Sequence, residues 1–377
     1  MKIATMVRGY LPAPRPVDMV YAPIDLAVAI SEQLTKREHS ITYFGPNGTH
    51  MCADVETGNL RPLAHNDQEF NQLLWDIDAY SHGVQATWDN YFAKMMFERA
   101  HKGEFDLLHF HHPEAALPYV HLYPDVPVLY TLHDPIKPLY REMLEMYQTP
   151  SQFFVSISNN QRVPAPDLPY AATVYNGIET ELFSYSDEPR DDYLLFAGRI
   201  VPEKGVKEAI QVAQETGHRL IIIGPVFPDQ KDYYDQYIKP HLNERILHLG
   251  FIERDQLPRY FQKAKAFLFP IQWEEPFGLT MIEAMSCGTP VIAMRRGSVP
   301  EVIEHKKTGF IVDSVAEMIE AVKNIGKIKP ANCRKHVEAK FSTTVMVGAY
   351  EKAYQTALDM FAANKACRVT VPPPKKQ

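Results

Sequence analysis

Short, continuously apolar runs alternate along the whole chain with longer stretches in which apolar side chains recur at helical spacing. In the first half the runs 3–7, 40–44, 107–110, 126–132 and 153–157 read as buried strands. A helix is expected over 24–35, and one or two more within 71–100, one of them over 87–99. In the second half the strands fall at 193–197, 219–223, 246–249, 266–269, 291–293 and 310–312. Helices intervene near 206–215, 233–238, 254–264, 280–286 and 315–324. Strand and helix in strict alternation is the pattern of parallel sheets covered by helices, so the fold class is α/β with two such units in series. The turn Asn176-Gly177 and the charged cluster Arg190-Asp191-Asp192 mark a linker, which divides the chain into 1–176 and 177–342. One further long helix, 343–362, follows the second unit. Residues 363–377, with three consecutive prolines and two lysines, read as a disordered tail.

Composition narrows the class. A length of 377 residues, 45% of them hydrophobic, suits two cores of ordinary size. The four cysteines, Cys52, Cys287, Cys333 and Cys367, are scattered without paired metal spacing, which points to reduced thiols in a cytoplasmic protein and to no zinc site. The N-terminus runs directly into a strand and no long apolar segment follows, so neither a signal peptide nor a membrane span is expected. Net charge is −7, and residues 1–175 hold 12 basic against 20 acidic side chains while the remainder holds 27 against 26. That balance argues against a nucleic-acid partner and against docking on anionic lipid, with a local basic patch left open.

The densest chemistry lies between Trp273 and Pro290, where Glu275 and Glu283 stand eight residues apart across a loop-to-helix junction. Pro276 and Gly278 interrupt the chain, and a helix from Leu279 then closes at Gly288 and Pro290. The free amides of Leu279 and Thr280 and the positive end of the helix dipole favour a diphosphate. A carboxylate on each side can accept hydrogen bonds from a vicinal diol. Each piece alone is equally well a solvated acid or a simple turn. Upstream, Gly198-Arg199 and Lys204-Gly205 follow the first strand of the second unit, at the kind of strand end where ligands sit in parallel sheets. Arg199 can fork onto phosphate oxygens and Lys204 can add a point charge, although the same spacing also describes a solvated loop.

Taken together, this string resembles the Glu-x7-Glu signature of retaining glycosyltransferases of the GT-B fold, in particular glycosyltransferase family 4 (glycosyl transferases group 1). Gly198-Arg199-x4-Lys204-Gly205 is similar to that family's phosphate motif. The resemblance runs over nearly the whole chain and is most specific over 176–312. It implies two Rossmann-like domains facing a central cleft, with 1–176 on the acceptor side, 177–342 binding the donor, and the last helix crossing back to the first domain. It also implies roles. Glu275 would hold the donor sugar hydroxyls and Glu283 the ribose diol. Gly198, Arg199, Lys204, Phe277, Gly278, Leu279 and Thr280 would line the rest of the donor site. His133, in Thr131-Leu132-His133-Asp134, matches the family's active-site histidine, and His109 is a weaker acceptor-side candidate.

The reaction expected is a retaining, metal-independent transfer of a sugar from a nucleoside diphosphate sugar, UDP before GDP, to an acceptor hydroxyl, with no cofactor. Arg199, Lys204 and the helix amides would stabilise the departing diphosphate, and the leaving phosphate itself would take the acceptor's proton. Transfer to water or phosphate is the alternative enzyme reading, and a nucleotide-sugar sensor the non-catalytic one.

His109, His111 and His112 lie within four residues, but alternation sends His109 and His111 one way and His112 the other, which favours structural histidines over a metal site. Asp76-Ile77-Asp78 carries the Asp-x-Asp string of metal-dependent glycosyltransferases in a polar helical region, where chance accounts for it. Glu301 is expected to begin a helix capped by Ser298. Where the family carries a glycine pair after the first strand, this chain has no glycine beyond Gly9 until Gly45 and is rich in proline, which puts the usual N-terminal phosphate contact in question.

Overall fold

The computed structural model describes residues 1–370, with side-chain surroundings through residue 367. Two compact units emerge among the described residues: 1–157, 162–174 and 346–370 form one, and 158–161 with 175–345 form the other. Each is a fully parallel, doubly wound sheet.

In the first unit the strands are β1 (Lys2–Met6), β2 (Ser40–Phe44), β3 (Asp54–Glu56), β4 (Leu107–Phe110), β5 (Val128–Leu132), β6 (Gln152–Ser156) and β7 (Tyr170–Thr173), in the order β3-β2-β1-β4-β5-β6-β7. The central strands have every residue buried or nearly so, as a sheet covered on both faces requires. Helix Val84–His101 lays Phe92, Met96 and Phe97 onto this core, where Phe97 stacks on Phe110 at 5.9 Å. The edge strands β3 and β7 are short and only half-buried, which is why hydrophobic patterning passes over them.

The second unit contains β8 (Tyr193–Ala197), β9 (Arg219–Ile223), β10 (Ile246–His248), β11 (Ala266–Phe269), β12 (Val291–Met294) and β13 (Gly309–Val312), ordered β10-β9-β8-β11-β12-β13. Helices Val206–Thr216, Leu279–Ser286 and Val315–Asn324 lie where periodicity places them. The expected helix over 233–238 is instead a π-helical turn, Tyr234–Ile238, entered from a single α-helical turn. The final helix, Thr343–Thr370, runs on past residue 362, so the first part of the expected tail is helical; residues 371–377 lie outside the described residues. From Met346 this helix belongs to the first unit, where Val347, Tyr350, Tyr354 and Ala357 are buried.

Both sheets reverse their winding beside the first strand, between β1 and β4 and between β8 and β11. Loops leaving the carboxyl ends of those strand pairs diverge to opposite sides and open a crevice. Arg8, His111 and His112 stand at one such point; Arg199 and the loop to Glu275 stand at the other.

Candidate active site

In the second unit, Gly205 holds φ at +74°, and a Cβ there would lie 1.9 Å from the Pro270 carbonyl oxygen. Only glycine allows the loop after β8 to press so closely on the end of β11. The approach delivers Lys204 to the loop that carries Glu275. The Lys204 ammonium donates a short hydrogen bond to Glu275 Oε2, the Trp273 indole N–H donates to the same oxygen at 2.9 Å, and Lys204 also lies 5.2 Å from the Trp273 ring centre. Glu275 is thus buried but doubly satisfied, which offsets the cost of removing its charge from water. Gly297 grips the same loop from below: a Cβ there would fall 2.2 Å from the Glu275 carbonyl oxygen, and the Ser298 amide donates to that oxygen at 2.9 Å.

Arg199 and Lys204 line a cavity of ≈ 170 Å³ with Trp273, Phe227, Asp229 and Gln230. Lys204 is committed to Glu275, whereas Arg199 is exposed and, among the described residues, makes no ion pair. Glu203 and Asp229 line the same cavity, so its two cations are balanced by two carboxylates, neither of them in an ion pair with Arg199.

Helix Leu279–Ser286 begins after Gly278 in the left-handed region at φ +83°, and no side chain caps it. Its leading amides are therefore not taken by a capping group. Glu283 is 7% exposed and lies 4.0 Å from the Arg254 guanidinium, so it points inward and is not an ordinary solvated helix residue. Phe277 is buried, and its carbonyl accepts from the Ser298 hydroxyl. That contact corrects the expected cap: Ser298 precedes helix Val299–Val302 but spends its hydroxyl on Phe277. Glu301 accepts from the Asn159 and Asn160 amides at 2.7 and 2.9 Å and from the Tyr175 hydroxyl at 3.0 Å, fastening residues 158–161 to the second unit.

In the first unit the histidines stack. His109 and His111 have ring centres 4.3 Å apart, and His111 and His133 lie 5.1 Å apart and nearly parallel. His111 Nδ1 and His133 Nε2 share a hydrogen bond of 2.8 Å. His109 is 1% exposed, with Tyr354 OH at 3.0 Å from Nδ1 and Thr131 Oγ1 at 2.9 Å from Nε2. Both its nitrogens are spent inside the core, so it is a support and not an acceptor-facing group. His112 does turn the other way, to Tyr21 OH at 2.6 Å. Burial pushes His109 down to about 3 and holds His111 and His112 well below the usual imidazole range, while partial burial and the nearby Arg8 charge lower half-buried His133. Among the described residues no group of three or more His, Cys, Asp or Glu side chains is arranged to hold a metal ion.

The loop after β1 is filled by Arg8, which bridges Asp89 at 3.1 Å and Glu114 at 2.9 Å and donates to Tyr21 OH, while the Gly9 amide is taken by Asp89 at 2.6 Å. Asp76 serves as an N-cap, its side chain accepting from the Ala79 amide. Burial drives the Cys287 and Cys333 thiols up to about 12, so neither is a thiolate at neutral pH, and none of the four cysteines is in a disulfide. No helix among the described residues is long and apolar enough to cross a membrane.

Trp273, Arg254, Arg8 and Gly297 carried no assigned role in the sequence. Trp273 lies inside the recognised string, and its adjacency to Glu275 was the available signal; nothing local flags the other three.

Two Rossmann-like units of this topology are those of the GT-B fold, and residues 178–339 match the family model described as glycosyl transferases group 1. The chain is 31% identical over 185 residues to the putative glycosyltransferase YtcC of Bacillus subtilis, covering 44% of this chain and 45% of that protein. It is 24% identical over 329 residues to the N-acetyl-alpha-D-glucosaminyl L-malate synthase of Bacillus anthracis, covering 75% and 83%. The chain spans about half the length of the first curated relatives it matches. Among solved structures, HepE of Anabaena in complex with UDP superposes with a TM-score of 0.70 at 16% identity, over 94% of this chain and 100% of that one. Sucrose-phosphate synthase from Thermosynechococcus elongatus gives 0.72 at 16%, over 96% and 100%. These likenesses establish the fold.

Proposed function

We propose that the protein is a retaining glycosyltransferase that moves a sugar from a nucleoside diphosphate sugar to an acceptor hydroxyl without a metal or cofactor. The observation that carries this reading is the cavity beside the β8–β11 switch point, lined by Arg199, Lys204 and Trp273, of which Lys204 and Trp273 both bond Glu275. Arg199, Lys204 and the amides of Leu279 and Thr280 meet the charge that grows on the leaving diphosphate. Gly198 and Gly278 let backbone approach it, and Phe277 seats the loop. Glu275 orients the sugar hydroxyls, Glu283 takes the ribose diol, and the departing phosphate accepts the proton of the attacking hydroxyl. His133, which matches the family's active-site histidine, acts as a neutral imidazole. UDP is favoured over GDP because the HepE neighbours are complexes with UDP, UDP and glucose, and UDP-glucose.

The test is a thermal-shift screen of nucleoside diphosphates and their sugars, since a ligand that binds only the folded state raises apparent stability with concentration. Incubation of the stabilising donor with candidate acceptors, in the presence of a chelator, follows, and the product's anomeric configuration is read by proton NMR. A product of inverted configuration, activity that collapses on chelation and returns with Mg²⁺, or release of free sugar regardless of acceptor would each overturn the reading.

A further inference from the structure

The hydrogen bond between His111 Nδ1 and His133 Nε2 contains one proton, and the two ways of placing it leave different atoms stranded. If His133 Nε2–H donated, the proton of neutral His111 would sit on its own Nε2. That atom is buried and has no hydrogen-bond partner. A buried N–H without an acceptor is the arrangement folded proteins most consistently avoid, and an unpartnered acceptor is tolerated more often. If His111 Nδ1–H donates, the buried Nε2 keeps only a lone pair. His133 must then carry its proton on Nδ1, an atom that makes no hydrogen bond among the described residues, on a ring only partly buried.

The stack behind the pair makes this choice rigid. The His111 backbone amide donates to the Met6 carbonyl at 3.2 Å, which anchors the residue across β1 and β4. Its ring is held against His109, which is itself locked by Tyr354 and by Thr131, and Thr131 is held in turn by Tyr350 at 2.9 Å. Two tyrosines of the final helix therefore fix the imidazole that His111 leans on.

We propose that His111 is a positioning residue that donates its Nδ1–H to His133, fixing His133 as the Nδ1–H tautomer, so that His133 offers substrate a hydrogen-bond donor and no lone pair. This deepens the reading of His133 as a catalytic group and rests on it for its catalytic meaning. In that role His133 donates to a hydroxyl oxygen and takes no proton from the acceptor, which agrees with leaving that proton to the departing phosphate.

The tautomer itself is tested without substrate. Histidine labelled with ¹⁵N in the full-length protein gives distinct nitrogen shifts for protonated and bare ring nitrogens, and the His133 signals are assigned by their loss in His133→Gln. The expected spectrum of the wild-type protein at pH 7 has His133 protonated on Nδ1 and bare on Nε2, with His111 also protonated on Nδ1. A His133 proton on Nε2 overturns the proposal whether or not the protein transfers sugar. In kinetics, His111→Phe keeps the ring stack and removes the donor. It should lower kcat roughly three- to tenfold with a smaller change in KM for the donor, and His111→Asn, whose amide can still donate, should recover most of that loss. Equal loss in both variants, with an unchanged His133 spectrum, would reduce His111 to a packing residue and also overturn the proposal. Wild-type protein with the expected tautomer but no turnover on any nucleotide sugar would refute the glycosyltransferase reading alone.

Discussion

Glu275→Gln is the substitution in which the structure makes the least intuitive demand. Without ligand, the cation expected to greet the diphosphate is already held by the carboxylate expected to hold the sugar. A diphosphate that recruits Lys204 must therefore loosen a bond between two charged groups. Hydrogen bonds of that kind contribute about 1.5–3 kcal/mol net. The side chains are 16% and 11% exposed, and Lys204 keeps its place against the Trp273 ring, so water and the ring cushion the loss and the lower end, about 1.5 kcal/mol, applies. Glutamine preserves shape and can still accept from the Trp273 indole, but it removes the charge that competes for Lys204. UDP alone should then bind about tenfold more tightly to Glu275→Gln than to the wild type. Turnover with the sugar nucleotide should fall by roughly 10²-fold, because the group that orients the sugar is weakened. Titration calorimetry with UDP, at low and high salt, checks the first outcome, and the gain should shrink as salt rises. UDP affinity that is unchanged or weaker in Glu275→Gln would show that Lys204 never leaves Glu275, and the exchange argument would be wrong.

Arg199→Ala and Lys204→Ala should each lower kcat by roughly 10²-fold or more, as expected when charge stabilisation of a leaving group is lost; steady-state kinetics on the full chain decide it. A 2′-deoxy nucleoside diphosphate should bind roughly 10- to 150-fold more weakly than the ribo form, since a charged acceptor stripped of its donor in a closed site costs about 1.5–3 kcal/mol. In Glu283→Gln that ribo/deoxy ratio should contract, and calorimetry finding it intact would reduce Glu283 to the partner of Arg254. Acid should loosen the first unit. His109 titrates near 3 in the folded protein against about 6.5 when unfolded, so between those values the unfolded chain binds the extra proton, and this stability is complete above pH 6.5 and is lost as pH falls. Each unit of pH in that window removes about 1.4 kcal/mol for His109. His109→Gln should flatten the wild-type dependence by that slope in urea unfolding from pH 6 to 4, and parallel slopes in the two proteins would contradict the burial argument.

Much of this molecule is written locally. A buried parallel strand must be apolar along its length, so the central strands of both sheets stood out, β2, β4, β8, β9 and β11 to the residue. The helix start at Leu279 was visible because a helix N-terminus imposes glycine and proline at fixed offsets, whereas the carboxylate pair, Arg199 and Lys204 stood out only through their resemblance to a family motif. What the sequence left open was pairing across distance. Short edge strands β3 and β7 carry little apolar signal, since only one side of each is hydrogen-bonded and their faces are half-covered. That Lys204, 71 positions before Glu275, would reach it was decided by the close approach of Gly205 to Pro270. His109 looked like a site residue and became a support only because Tyr354, 245 positions away, arrives on the last helix to take one ring nitrogen while Thr131 takes the other. A side chain's type is set by its codon, but whether its polar atoms meet substrate or protein depends on which distant element packs over them, and only the folded chain determines that.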